Sequence, residues 1–112
     1  MITTSLGVCT KAGLLAACLL LIVPALRAQD DSAKVYKAKC SMCHAADGSG
    51  DSPAGKAMKV PDLRSEAVQK QTDAQLTEIV TNGKKAMPAY KGKLTADEIK
   101  GLVSHLRGLA KK

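Results

Sequence analysis

Cys40-Ser41-Met42-Cys43-His44 is the stretch on which the reading of this 112-residue chain turns. Its spacing is CxxCH, the attachment signature of a c-type haem. Two thiols three positions apart can each add across one vinyl group of a porphyrin. The histidine directly after the second thiol is then held under the iron and can ligate it. The shape of the macrocycle dictates both the residue types and their spacing, so the motif is specific. A CxxC pair also binds zinc. Zinc would need two more ligands, and the sequence has no second Cys pair and no paired His.

The N-terminus supplies the context. Lys11 precedes an apolar run of 15 residues, Ala12 to Leu26, broken by Pro24. A membrane helix needs about 20. A short positive start, a modest apolar core and small residues at Ala25 and Ala28 read as a secretory signal peptide over residues 1–28. Cleavage is expected after Ala28, with Val23-Pro24-Ala25 as a second candidate site. An uncleaved anchor is the alternative, and the length argues against it. Leu15-Ala16-Ala17-Cys18 looks like a lipoprotein box, but most of the apolar run follows Cys18, whereas such a box should end it. The expected location is the bacterial periplasm, with no stable membrane insertion after cleavage.

Residues 29–112 are then one domain of 84 residues, near the lower limit for a self-sufficient apolar core. Its aromatic residues are Tyr36 and Tyr90 alone, with no Phe or Trp. Domains this small need a staple. A buried haem, tied at two sulfurs and at the iron, would supply the missing apolar bulk. Cys9 and Cys18 leave with the export segment, so only Cys40 and Cys43 remain. The processed chain also loses Lys11 and Arg27, which leaves 15 basic against 10 acidic side chains, a balance of +5. The bases are spread along the chain and do not alternate with aromatics, which excludes the usual nucleic-acid pattern. They serve solubility, or steering toward an acidic partner surface.

Three helical patterns alternate with loops. The first is expected from about Asp31 or Ser32 to Cys40, with acids at its start and lysines along it. Ala45–Pro61, rich in Gly, Ser, Asp and Pro, reads as loop with few regular elements. A short turn of helix follows around Ser65–Gln69. Thr72-Asp73-Ala74-Gln75 is a capping box that opens a second helix, with Leu76, Ile79 and Val80 as its stripe and Asn82-Gly83 as its end. Thr95-Ala96-Asp97-Glu98 opens the last helix in the same way, and Ile99, Leu102, Val103, Leu106 and Leu109 form its buried stripe. Gly101 and Gly108 weaken this helix or permit the close approach of another. No internal repeat and no convincing strand alternation occurs, so the class is all-α.

The candidates for a sixth iron ligand are Met42, Met58, Met87 and His105. Met42 lies between the two anchored cysteines and cannot reach the opposite face. Met58 reads as a packing residue at the haem rim. Met87 sits on the loop Lys84–Leu94, where Pro88 holds it extended, and such a loop can cover the far face of the porphyrin. His105 lies inside the last helix and reads as a packing residue.

These features resemble the class I cytochromes c, small soluble electron carriers. The likeness runs from about Ser32 to Leu109. It rests on Tyr36 four positions before the first cysteine, Cys40-Ser41-Met42-Cys43-His44, Asp47-Gly48-Ser49-Gly50, Gly83 with Met87-Pro88-Ala89-Tyr90, and Ile99–Leu106. In that family the first and last helices cross beside the haem, at the positions of Tyr36 and His105. Three residues depart from its pattern. His105 stands where an aromatic ring is usual, Ser32 where a close-contact Gly is common, and Ala45 where Gly often follows the haem His. The resemblance implies three to four helices wrapped around one covalent haem c, held by Cys40 and Cys43, with His44 as proximal and Met87 as distal iron ligand. It implies a monomeric one-electron carrier and no enzyme, docking on redox proteins with acidic surfaces. Lys39, Lys56, Lys84, Lys85, Lys91 and Lys93 flank the haem-binding segments. A haem subunit of a larger oxidoreductase and a haem-based sensor are the alternative functions.

Overall fold

Each of the helices α3 to α6 starts where a side chain can satisfy its orphan amides. The computed structural model describes residues 27–110. The expected export segment, with Cys9 and Cys18, falls on residues outside this range, apart from Arg27 and Ala28 at its end. Among the described residues there are six helical segments. They are α1 (27–39), α2 (Ser41–His44), α3 (Pro53–Met58), α4 (Glu66–Gln69), α5 (Asp73–Asn82) and α6 (Ala96–Leu109). No strand forms among them; two isolated bridges, Lys84 to Met87 and Lys91 to Leu94, pin the second loop. No helix of the described residues is long and apolar enough to cross a membrane.

The two expected capping boxes are present. The Thr72 and Thr95 hydroxyls accept from the Gln75 and Glu98 amides, and the Gln75 and Glu98 side chains accept from the Thr72 and Thr95 amides in return. Each such cap contributes about 1 kcal/mol. The turn expected around Ser65–Gln69 is α4, capped by Ser65. Two boundaries need correction. The first helix does not start at Asp31 or Ser32 but is already formed at Arg27. Asp30 and Asp31 pair with Lys34 one turn on, so these acids stabilise a helix interior. Ala45–Pro61 is not all loop, because Ser52 caps α3 through the Gly55 amide and Pro53 occupies its first turn. The expected helices are thus α1, α4, α5 and α6, and the short α2 and α3 are added between them.

The core is a single cluster. Tyr36 of α1, Leu63, Val68 of α4, Leu76 and Val80 of α5, and the whole expected stripe of α6 are buried together. Burying each large aliphatic side chain is worth roughly 1.5–3 kcal/mol. Tyr36 is 3% exposed, and its ring lies 4.8 Å from that of His105 at 42°. The first and last helices thus meet where departures from the family pattern fall. A Cβ on Gly101 of α6 would collide with the Ser32 hydroxyl of α1. The close contact is kept with the glycine on the other helix.

Arg107 locks α6 onto the turn between α4 and α5. Its guanidinium donates to the Gln69 carbonyl at 2.9 Å, to the Gln71 carbonyl, and to Asp73 Oδ1 at 2.8 Å. Gln69 in turn donates to the Leu63 carbonyl at 2.7 Å.

Candidate cofactor site

The helix–turn–helix at Cys40 decides where the motif side chains go. The amides of Cys43 and His44 both bond to the Cys40 carbonyl, which winds the motif into α2. The backbone of α2 is then clamped from α3. Ser52 Oγ donates to the Met42 carbonyl at 2.8 Å and accepts from the Gly55 amide at 3.0 Å. Gly55 is buried, and a Cβ there would run into the Cys43 carbonyl. The Tyr36 hydroxyl donates to the Ala45 carbonyl at 2.7 Å, which fixes the exit from α2. Ala45 leaves with φ 61°, the left-handed region where Gly is favoured.

A cavity of about 380 Å³ opens beside this clamp. Cys40, Cys43 and His44 line it, and so does Met87. Its other walls are largely apolar and include Leu63, Val68, Leu76, Ile79, Leu102 and Leu106. Helices α4, α5 and α6 therefore turn apolar side chains toward a space as well as toward each other. Met58 also reaches this space, but at 52% exposure it is a rim residue and not a packed one. Met42 is 78% exposed and does not line the cavity.

The electrostatics suit a neutral metal-bearing ligand. Burial pushes the Cys40 thiol up to about 11, and neighbouring Cys43 adds to the shift. The thiol is uncharged at neutral pH. Burial also lowers His44 below the ordinary imidazole range, which keeps the ring neutral and able to ligate. His44 Nδ1 is buried without a hydrogen-bond partner. An orphaned buried polar atom costs about 1–3 kcal/mol, and the protein alone leaves that cost unmet here. Among the described residues no three His, Cys, Asp or Glu side chains gather as a metal cluster. The residues fit a flat apolar group carrying its own metal.

Met87 is held by the loop around it. Its amide donates to the Lys84 carbonyl at 3.0 Å and its carbonyl accepts from the Lys84 amide at 3.2 Å. Gly83, at φ 76°, turns the chain out of α5 so closely that a Cβ would lie 2.6 Å from the Met87 carbonyl. The lysines divide. Lys39, Lys84 and Lys85 line the cavity, whereas Lys56, Lys91 and Lys93 do not. Lys56 is instead paired with Asp51 at 2.7 Å. Lys59 lines the cavity too, placed by a left-handed turn at the end of α3 that the composition of the segment gives no reason to expect.

A family profile described as "Cytochrome C oxidase, cbb3-type, subunit III" matches residues 27–106. The chain is similar to cytochrome c6 of Nostoc sp. (strain PCC 7120), 38% identical over 88 residues that cover 78% of this chain and 77% of the relative. It is similar to cytochrome c6 of Leptolyngbya boryana, 38% identical over 79 residues, 70% of this chain and 89% of the relative. Among solved structures it resembles KustC0563 c-type cytochrome, with TM-score 0.65 and 30% identity over 70% of this chain and 95% of that one.

Proposed function

The chain belongs to the class I cytochromes c and carries one covalent haem c, and from that membership we propose an exported one-electron carrier whose haem is held by Cys40, Cys43, His44 and Met87. One observation carries the assignment: all four side chains line the same apolar cavity. Bound there, haem c supplies reversible one-electron exchange at its iron. Cys40 and Cys43 would hold it through thioether bonds, each S–H adding across a vinyl group. His44 would supply a neutral imidazole nitrogen to the iron. Met87 would supply a soft thioether sulfur, a ligand that favours the ferrous state and raises the potential over a two-histidine pair. The walls of the site are largely apolar. Lys39, Lys59, Lys84 and Lys85 at its margin give the approach a positive field, which suits redox partners with acidic surfaces. The chain performs no substrate chemistry of its own.

Residues 1–28 are the proposed export signal, cut after Ala28 to leave a periplasmic monomer. Protein recovered from the periplasm with Gln29 as its first residue is the expected finding; a full-length N-terminus there would overturn it.

The axial pair is tested by mutation. Oxidised wild-type protein should show the weak far-red charge-transfer band of an iron–thioether bond. Met87→Ala should abolish it, lower the potential and open the iron to carbon monoxide. Met58→Ala should leave the band intact and cost under about 1 kcal/mol, since half of that side chain is already in water. The reverse pattern would move the ligand to Met58.

The profile over residues 27–106, described by an oxidase subunit, favours a second reading, a haem subunit of a larger oxidoreductase. Co-purification with a membrane oxidase at fixed stoichiometry would support it; recovery as a free monomer supports the carrier. Carbon monoxide binding by reduced wild-type protein would instead indicate a sensor.

A further inference from the structure

The C-terminal end of α1 leaves a carbonyl in need of a donor. In a continuing helix the Lys39 carbonyl would accept from the Cys43 amide. That amide turns to the Cys40 carbonyl instead, at 3.2 Å, because the chain rewinds into α2. The Lys39 carbonyl accepts from the Tyr90 hydroxyl at 3.0 Å, across 51 residues of sequence. Tyr90 is the third residue after Met87. Its own backbone is fixed on α5, its amide donating to the Val80 carbonyl at 3.1 Å and the Lys91 amide to the Thr81 carbonyl at 3.0 Å. Lys39, Cys40, Met87 and Tyr90 all line the cavity.

The loop that bears Met87 is thus fastened at its base to α5 and, through one phenol, to the residue before Cys40. We propose that Tyr90 is a positioning residue, whose hydroxyl clasps the Met87 loop to the haem-attachment segment and sets how often that loop opens. The inference rests on the reading of Met87 as iron ligand. Opening the loop must break the Tyr90–Lys39 bond and leave the Lys39 carbonyl to water. The aromatic ring contributes packing in addition, being half-buried beside the core. Tyr90→Phe removes the clasp and keeps the ring.

The test compares oxidised wild-type holoprotein with Y90F, using imidazole as a probe of an opened site. Imidazole titration is followed at the far-red band, and global unfolding by far-UV circular dichroism. A net hydrogen bond of ordinary strength predicts that Y90F binds imidazole about 2- to 10-fold more tightly. A bond that is merely structural would lower the unfolding midpoint and leave the imidazole affinity unchanged. Equal affinities, with the band present in both proteins, would overturn the proposal while Met87 stands as ligand. A wild-type protein without the band would remove Met87 as ligand and the clasp's role with it.

Discussion

The contact between α1 and α6 makes a substitution that normally stabilises a helix harmful here. Gly101 lies inside α6, where replacing Gly by Ala gains about 1 kcal/mol of helix propensity. The new methyl, however, would collide with Ser32 Oγ, and Ser32 is only 9% exposed. The Ser32 Cβ is no obstacle, at 3.5 Å from where that methyl would sit. Ser32 can yield only by swinging its hydroxyl, which abandons the 2.8 Å bond to the Ala28 carbonyl, or by parting the helices. Overpacking of this kind costs about 1–3 kcal/mol. Gly101→Ala should therefore destabilise the uncleaved chain by about 1 kcal/mol net, a drop of roughly 4–8 °C in Tm for a domain of this size. Ser32→Ala removes the obstructing oxygen and keeps the Cβ. In that background Gly101→Ala should stabilise by about 1 kcal/mol, a coupling of about 2 kcal/mol across the pair. In a chain cut after Ala28 the hydroxyl has no Ala28 acceptor to lose, and the penalty shrinks toward its steric part. Thermal unfolding of the four proteins measures the cycle. Stabilisation by Gly101→Ala in both backgrounds would refute the close crossing.

Three other perturbations probe the site. Gly83→Ala forces a side chain into a glycine-only region, φ 76° and ψ 170°, and against the backbone of the Met87 loop; we expect a loss on the order of 3 kcal/mol and a weakened far-red band, and an intact band with unchanged Tm would contradict the loop geometry. Replacing both Cys40 and Cys43 by Ala should yield a chain without covalent haem that fails to fold, read by haem staining and circular dichroism; a double variant that stays folded and red under denaturing electrophoresis would count against the assignment. Burial first, then charge on Cys40 and on Asp47, push the Tyr36 phenol up to about 12. The native state therefore holds that proton more tightly than the unfolded chain, so the contribution is complete below about pH 10, the ordinary phenol value, and is lost as pH rises through about 12. The stability advantage of wild type over Tyr36→Phe should shrink by roughly 2 kcal/mol across that window, measured by denaturant midpoints, and less once the Cys40 sulfur is a thioether; a constant advantage would mean the phenol is not buried as described.

The helices that bury one face are legible because their signals are local. Threonine with Gln or Glu three positions on marks α5 and α6 to the residue, and period-3.6 spacing picks out the five buried positions of α6. The segment Ala45–Pro61 misleads for a related reason. Its Pro and Gly content argues for loop, yet Ser52-Pro53 is also a helix start, and the choice depends on Gly55 fitting against the Cys43 carbonyl. That fit is tertiary. The start of α1 misleads differently. Aspartates favour a first turn, but at Asp30 and Asp31 the ion pairs with Lys34 and the Ser32–Ala28 bond suit a helix already under way.

The cavity itself divides along the same line. CxxCH places Cys40, Cys43 and His44 by covalent spacing, and Met87 is legible because Pro88 and the two flanking capped helices leave its loop few courses. What closes the space has no local signature. Arg107 reaches carbonyls 36 and 38 residues away, Tyr90 a carbonyl 51 residues away, and Lys59 arrives through a left-handed turn. Arg107 and Tyr90 satisfy backbone groups left over where a helix ends, and helix ends come together only after the helices have packed. A sequence therefore announces the groups that chemistry requires sooner than the groups that hold them still. That asymmetry is why the Tyr90 hydroxyl makes a clean probe. It lies outside the proposed ligand set of Cys40, Cys43, His44 and Met87, although its residue lines the same cavity, and its removal leaves all four in place, so a change in access to the iron reads how firmly the loop is held.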